Sequence, residues 1–293
     1  MGALYIGVIL ICRVAQHLTY KSTSNDMKGL PMFIGYSAYR QLLSALFGII
    51  LIVIEKSAIT LDKSTLLISG FSGLMLVASM FCGIFAMKSG TVALVSMFST
   101  AGLIVPCIAG VFLFNEKISV MQWVGVAVFL FSAYLLIGSS KNIYKNFSFK
   151  TIILLIAGLV TDGCVMLAQT IFARCVPNGN ISVFSFFSFF IPGVIMLIMT
   201  LIIRPKNKNE MHMSKTIILC GVVLALCVLV INQLATLASR FVSPVILFTF
   251  INGGSTIIGA IVAALFFKEK LTFRSAAGVI IGVASLVIIK AFA

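Results

Sequence analysis

Arg13, Gln16, His17 and Tyr20 stand at i, i+3, i+4 and i+7 in an apolar stretch near the start of the chain. That spacing places four side chains on one face of an α-helix. A guanidinium there offers a planar fork of donors suited to a carboxylate or phosphate, and the neighbouring imidazole titrates near neutrality. The chemistry on offer is recognition of an anionic group, with His17 either a proton relay or a hydrogen-bonded packing residue. Asp162 is the one carboxylate deep inside an apolar segment, and Gln169 follows it on the same helical face. A second arginine, Arg40, has Tyr36, Ser37 and Ser44 on its face and reads as a lining residue. Burial and a nearby cation act on an acid in opposite senses. Asp162 is therefore expected to pair with Arg13 or Arg40, with a proton or the substrate competing for that pairing; a fixed structural ion pair is the alternative.

Further lining candidates are Asn232 and Gln233 with Thr236, and Asn252 between Thr249 and Thr256 at helical spacing. Such residues also bind helices to one another within membranes. Ser96, Ser99 and Thr100 precede Pro106, whose ring removes a backbone hydrogen bond and is expected to hinge its segment. Glu116 and Glu269 fall at segment ends and read as solvated or capping. None of this composes an enzyme: H-E-x-x-H, G-x-S-x-G and G-x-x-x-x-G-K-[ST] are all absent from the sequence. Two histidines and seven cysteines without a C-x-x-C pair supply no metal-site pattern, so no cofactor is expected and the thiols read as reduced, small apolar side chains.

These residues must be held by something, and composition says what. Of the 293 residues 61% are hydrophobic and 10% charged, with a mean hydropathy of +1.19. No single soluble core could hide so much apolar surface; lipid must solvate it. The net charge of +14 sits in short breaks between apolar runs, which excludes the contiguous basic face that nucleic acid requires. A membrane-spanning helix needs roughly 20 apolar residues. Ten segments qualify, near 2–20, 32–54, 65–87, 91–114, 119–138, 151–173, 182–203, 215–238, 243–267 and 272–290. The first has no basic residues before it and reads as a retained helix rather than a cleaved signal. The expected fold is all-α, an integral multi-pass protein, with the cell membrane as its expected location.

The chain also repeats itself. Sliding it by 153 positions lays Phe114, Glu116, Lys117, Gly125 and Ser132 on Phe267, Glu269, Lys270, Gly278 and Ser285. The expected division is a first five-helix repeat over 1–140, a basic connection over 141–150 and a second repeat over 151–293. An odd number of spans per copy sends the second in from the opposite side, giving inverted repeats with a site between them and alternating access as their natural motion.

At this point the sequence resembles the ten-helix EamA-like transporters of the drug/metabolite transporter superfamily. The resemblance rests on Tyr39-Arg40-Gln41-Leu42-Leu43-Ser44-Ala45, on Ala86-Met87-Lys88-Ser89-Gly90-Thr91-Val92-Ala93-Leu94, on Pro106 and on Glu116-Lys117. Gln122-Trp123-Val124-Gly125-Val126-Ala127 completes it, with the echo at Glu269-Lys270 and Gly278. It implies a secondary transporter of small polar metabolites or drugs. Cys12-Arg13 stands where relatives resemble a Trp-Gly pair, so their substrate contacts do not carry over. Basic residues such as Lys21, Lys28, Lys141, Lys145, Lys150 and Arg204 outweigh those of the opposite loops, which puts both termini outside; the resemblance implies cytoplasmic termini. Two arginines against one deep acid tilt the expected substrate toward amino-acid-like or carboxylate-bearing metabolites, with proton or exchange coupling and a monomer or homodimer as the functional unit. A channel or non-coupled pore is the alternative, followed by a multidrug or cation exporter, for which the single tryptophan makes a poor aromatic cage.

Overall fold

Lipid offers a backbone no hydrogen-bond partners, so an apolar segment that crosses it must bond its own N–H and C=O groups. All ten expected segments accordingly fold as helices. The computed structural model describes residues 2–23, 29–56, 62–89, 92–137, 149–203, 213–266 and 273–292. Among them are eleven helices: α1 (Gly2–Thr23), α2 (Leu30–Ile54), α3 (Lys63–Ser89), α4 (Val92–Ala101), α5 (Ile104–Phe114), α6 (Val120–Ile137), α7 (Phe149–Cys175), α8 (Ile181–Ile202), α9 (Lys215–Ala238), α10 (Pro244–Phe266) and α11 (Phe273–Ala291). Eight spans are long and apolar enough to cross a membrane, α4 and α5 counting together as one of them, and α1 and α6 are shorter apolar helices. The protein is an integral, multi-pass membrane protein. Large apolar side chains point outward accordingly, Phe112 and Val120 each 79% exposed.

Helix ends follow local chemistry. Pro31 occupies the first turn of α2, where its missing N–H costs nothing, just after Gly29 at φ 89°. Asn180 caps α8, its side-chain oxygen accepting from the N–H groups of Ser182 (2.7 Å) and Val183 (3.1 Å). Ser214 does the same for α9 through Ile217 N–H at 3.3 Å.

The fourth span is the exception to continuity. A break separates α4 from α5 at Gly102–Leu103, one turn before the proline expected to act as hinge. Pro106 explains the displacement. Its missing N–H would have bonded the Gly102 carbonyl, four residues back, which its ring also crowds. The Gly102 carbonyl instead accepts from Val105 N–H at 3.0 Å. The N–H groups of Gly102 and Leu103 tighten onto the carbonyls of Ser99 (3.1 Å) and Thr100 (3.4 Å).

Helices pair where small residues let backbones approach. α2 runs along α8, with Gly48 against Phe186 and Gly193 against Leu42, and α3 runs along α7, with Gly158 against Cys82. Gly278 and Gly282 press α11 onto α6 at Leu136 and Ser132, so this pair of glycines serves packing within the chain. The Ser132 hydroxyl donates to the Gly278 carbonyl at 2.7 Å across that seam. α1 packs on α9 and α10. Successive crossings bring both ends of the described chain to one side, where the Ser119 hydroxyl donates to the Phe292 carbonyl at 3.3 Å. The largest buried cluster draws Ile9, Leu103, Phe129, Ile231, Phe248 and Ile289 from six spans and lies toward that same end.

Candidate functional site

Asp162 is the middle residue of α7, so helical geometry alone puts it near the centre of the bilayer. Its carboxylate accepts hydrogen bonds from the hydroxyls of Ser79 on α3 and Ser99 on α4. Arg13, near the middle of α1, interacts with it electrostatically. The charge of Arg13, one of the two arginines offered as partners by the sequence, acts on the Asp162 carboxylate. Arg13 also donates through Nη1 to Gln16 Oε1 at 3.3 Å, so the face expected on α1 exists at least for this pair. The side chains of His17 and Tyr20 lie outside the described residues.

Asp162 is followed by Gly163, and that glycine is packed against the break in the fourth span. A Cβ on Gly163 would fall 2.5 Å from the Gly102 carbonyl and from the Val105 side chain. A Cβ on Gly102 would fall 2.9 Å from the Leu159 carbonyl of α7. The carboxylate, its two hydroxyl donors and the break therefore form one structure at mid-depth.

The hydrogen bonds of the remaining sequence candidates run to other groups. Gln169, one face-length further along α7, donates through Nε2 to Asn232 Oδ1 of α9 at 2.5 Å, and Asn232 Nδ2 donates to the Ser185 hydroxyl of α8 at 2.8 Å. All three are buried, and the chain joins three helices. Gln233 Nε2 donates to the Ser182 hydroxyl at 2.8 Å, which in turn donates to Glu55 Oε1 at 2.9 Å at the terminal end of α2. Asn252 of α10 turns its amide toward Met166 Sδ at 3.7 Å, and its carbonyl accepts the Thr256 hydroxyl at 2.8 Å. Arg40 is half-buried midway along α2; its carbonyl accepts from the Ser44 hydroxyl at 3.0 Å, which lies 3.1 Å from the Ala225 carbonyl of α9.

The two residues that donate to the Asp162 carboxylate carried little signal. Ser79 is one hydroxyl among many on an apolar helix, and Ser99 drew notice only for its place before Pro106. Glu116 is a correction. It is not a solvated segment end: Arg174 Nη1 lies 2.6 Å from Glu116 Oε1, and the two side chains are only 22% and 14% exposed. Arg174 also donates to the carbonyls of Ser239 (3.1 Å) and Val242 (3.3 Å), and its guanidinium lies over the Phe114 ring at 4.9 Å. A loop acid and a helix-end arginine far apart in sequence give no hint of one another until the chain folds.

Residues 19–138 match the model of the EamA-like transporter family. The chain is EamA-like over those residues. The EamA-like stretch runs from the end of α1 to the end of α6 and holds Arg40, Ser79, Ser99 and Glu116. The family points to a membrane transporter rather than an enzyme. A solved crystal structure superposes with a TM-score of 0.81 over 98% of this chain and 95% of its own, at 12% identity, which establishes a shared fold. No curated protein matches the sequence.

Proposed function

We propose that this EamA-like protein is a secondary transporter that moves a small polar metabolite with an anionic group, amino-acid-like in the simplest case, by alternating access. One observation carries the proposal: a carboxylate and an arginine, on helices from opposite halves of the chain, interact near mid-membrane. Charge there costs at least about 2.5 to 3.5 kcal/mol on insertion scales, and intramembrane ionisable groups mark substrate and proton pathways. A zwitterion matches both signs, its carboxylate on the Arg13 fork and its ammonium on Asp162 with the Ser79 and Ser99 hydroxyls. Gln16 orients the arginine, and Asp162 is the coupling residue, binding a proton or substrate in turn. Gln169, Asn232 and Gln233 satisfy one another or neighbouring hydroxyls and serve as helix adhesive instead.

Two inverted five-helix repeats, 1–140 and 151–293 with a basic connection at 141–150, supply the alternation. The helix pairings support this reading. Under the exchange of each span with the fifth one after it, α2·α8 and α6·α11 map onto themselves, and α3·α7 exchanges with α1·α9. A bundle built this way has two nearly equivalent packings, one open to each side. In the present one the terminal end is closed by the Glu116–Arg174 pair, the Glu55–Ser182–Gln233 chain and the main apolar cluster.

Purified protein in liposomes tests the proposal. Thermal-shift screening against an amino-acid and carboxylate panel names a substrate, since a ligand that binds the folded state stabilises it. Saturable counterflow of that compound, lost in Arg13→Gln, is the expected result. Ion current without counterflow would make the protein a channel and end the proposal.

A further inference from the structure

The fourth span is held unequally on the two sides of its break. On the α5 side, Leu103 and Cys107 are fully buried in the main cluster, and Gly110 is wedged between Glu116 and Pro244. On the α4 side, every described side chain is half-buried or exposed, Ser96 among the exposed. α5 is therefore the more deeply buried part, while α4 packs on α7, α6 and α3 with no fully buried side chain among its described ones. Two of the contacts of the fourth span on α7 fall at adjacent residues: Ser99 donates its hydroxyl to Asp162, and Gly102 lies backbone-to-backbone on Gly163. The second contact has no side chain to release. The first is a single hydrogen bond to a carboxylate.

We infer that Asp162 and Gly163 together govern the bend of the fourth span, Gly163 serving as the pivot at Gly102 and the Ser99–Asp162 hydrogen bond as the tether. Ser99 is a positioning residue in this arrangement. Engagement of the carboxylate by another partner releases Ser99, and α4 swings about the pivot while α5 stays seated. Ser79 shares the carboxylate but belongs to α3, so it holds no part of α4. The charged or titratable groups of the described residues that act on Asp162 include Arg13 from α1 and Cys82 from α3; the sequence of α4 holds no ionisable side chain. The consequence for transport rests on the proposed role of Asp162, whereas the tether rests on the contacts alone.

The two are separated by a measurement that needs no substrate. In a full-length, cysteine-free background, spin labels at Ser96→Cys on α4 and Leu219→Cys on α9, both exposed positions, report the position of α4. Ser96 lies six residues, about 9 Å at helical rise, from the pivot at Gly102, so a change of kink of about 20° displaces it about 3 Å. Ser99→Ala and Asp162→Asn are each expected to shift or broaden the distance distribution by about that amount, with no further change in the double variant. Ser99→Thr, which keeps the hydroxyl, and Ser79→Ala, which leaves the tether intact, are expected to match the parent. A parental distribution in Ser99→Ala overturns the inference, as does an equal shift in Ser79→Ala. If Ser99→Ala moves α4 while Asp162→Asn transports at the parental rate, the tether stands and the coupling role of Asp162 falls.

Discussion

At the scale of single residues, the protein places its few charges where lipid makes them expensive and then satisfies them in distinct ways. Asp162 accepts from two hydroxyls and feels the charge of Arg13, an arrangement in which a proton or an ammonium competes with the hydroxyl donors for the carboxylate. Asp162→Asn keeps the shape and removes the charge. It is expected to lower counterflow of an identified substrate about tenfold or more and to flatten its dependence on pH; parental uptake with a parental pH profile removes the coupling role. The Glu116–Arg174 pair behaves otherwise, since it is bonded on several sides and closes one end of the bundle. Glu116→Gln leaves a shielded guanidinium without its counter-charge, a kind of change that costs about 3 to 5 kcal/mol when the site is fully buried and less here. Thermal unfolding in detergent is expected to show the loss, and Glu116→Gln combined with Arg174→Gln to recover part of it.

At the scale of elements, the seams are built from glycine on one helix and a larger residue or a backbone on the other. The tightest is the crossing of α7 over the α4–α5 break, where Gly163→Ala would put a methyl group 2.5 Å from a carbonyl and a valine. Overpacking of that kind costs typically about 1 to 3 kcal/mol, and a lowered unfolding midpoint is the expected readout. Pro106→Ala restores the N–H that the Gly102 carbonyl lacks and is expected to straighten the fourth span, lowering the counterflow rate while substrate binding, read by thermal shift, persists. Unchanged counterflow would show that the break is not part of the cycle. The α6–α11 seam is a quieter case: Ser132→Ala deletes one interhelical hydrogen bond, worth about 0.6 to 1.7 kcal/mol in a membrane bundle.

At the scale of the whole molecule, one end is closed by ion pair, hydrogen bonds and apolar packing, and alternating access requires that closure to be reversible. Single cysteines at positions 13, 16 and 162 are expected to react with a soluble maleimide from at least one aqueous phase, and addition of substrate to change that reactivity. Complete protection from both phases, with and without substrate, would leave no water-accessible chamber for a carrier to use.

Much of this was legible before folding. Ten apolar segments, their alternating direction and a lipid-solvated all-α architecture follow from composition and run length, because the thickness of a bilayer and the backbone's need for partners leave helices as the only way for these segments to cross. Pro106 announced a broken span, and the isolation of Asp162 among apolar residues announced a carboxylate in need of partners. What the sequence could not settle is which distant groups meet. Ser79 and Ser99 are ordinary hydroxyls until α3 and α4 bring them to one carboxylate, Gln169 and Asn232 are separate amides until α7 and α9 bond them together, and Glu116 reads as a loop acid until Arg174 arrives from a later helix. Local sequence sets hydrophobicity and helical face, which depend on neighbours along the chain; hydrogen bonds and ion pairs depend on distances of a few ångströms between helices, and only their packing supplies those.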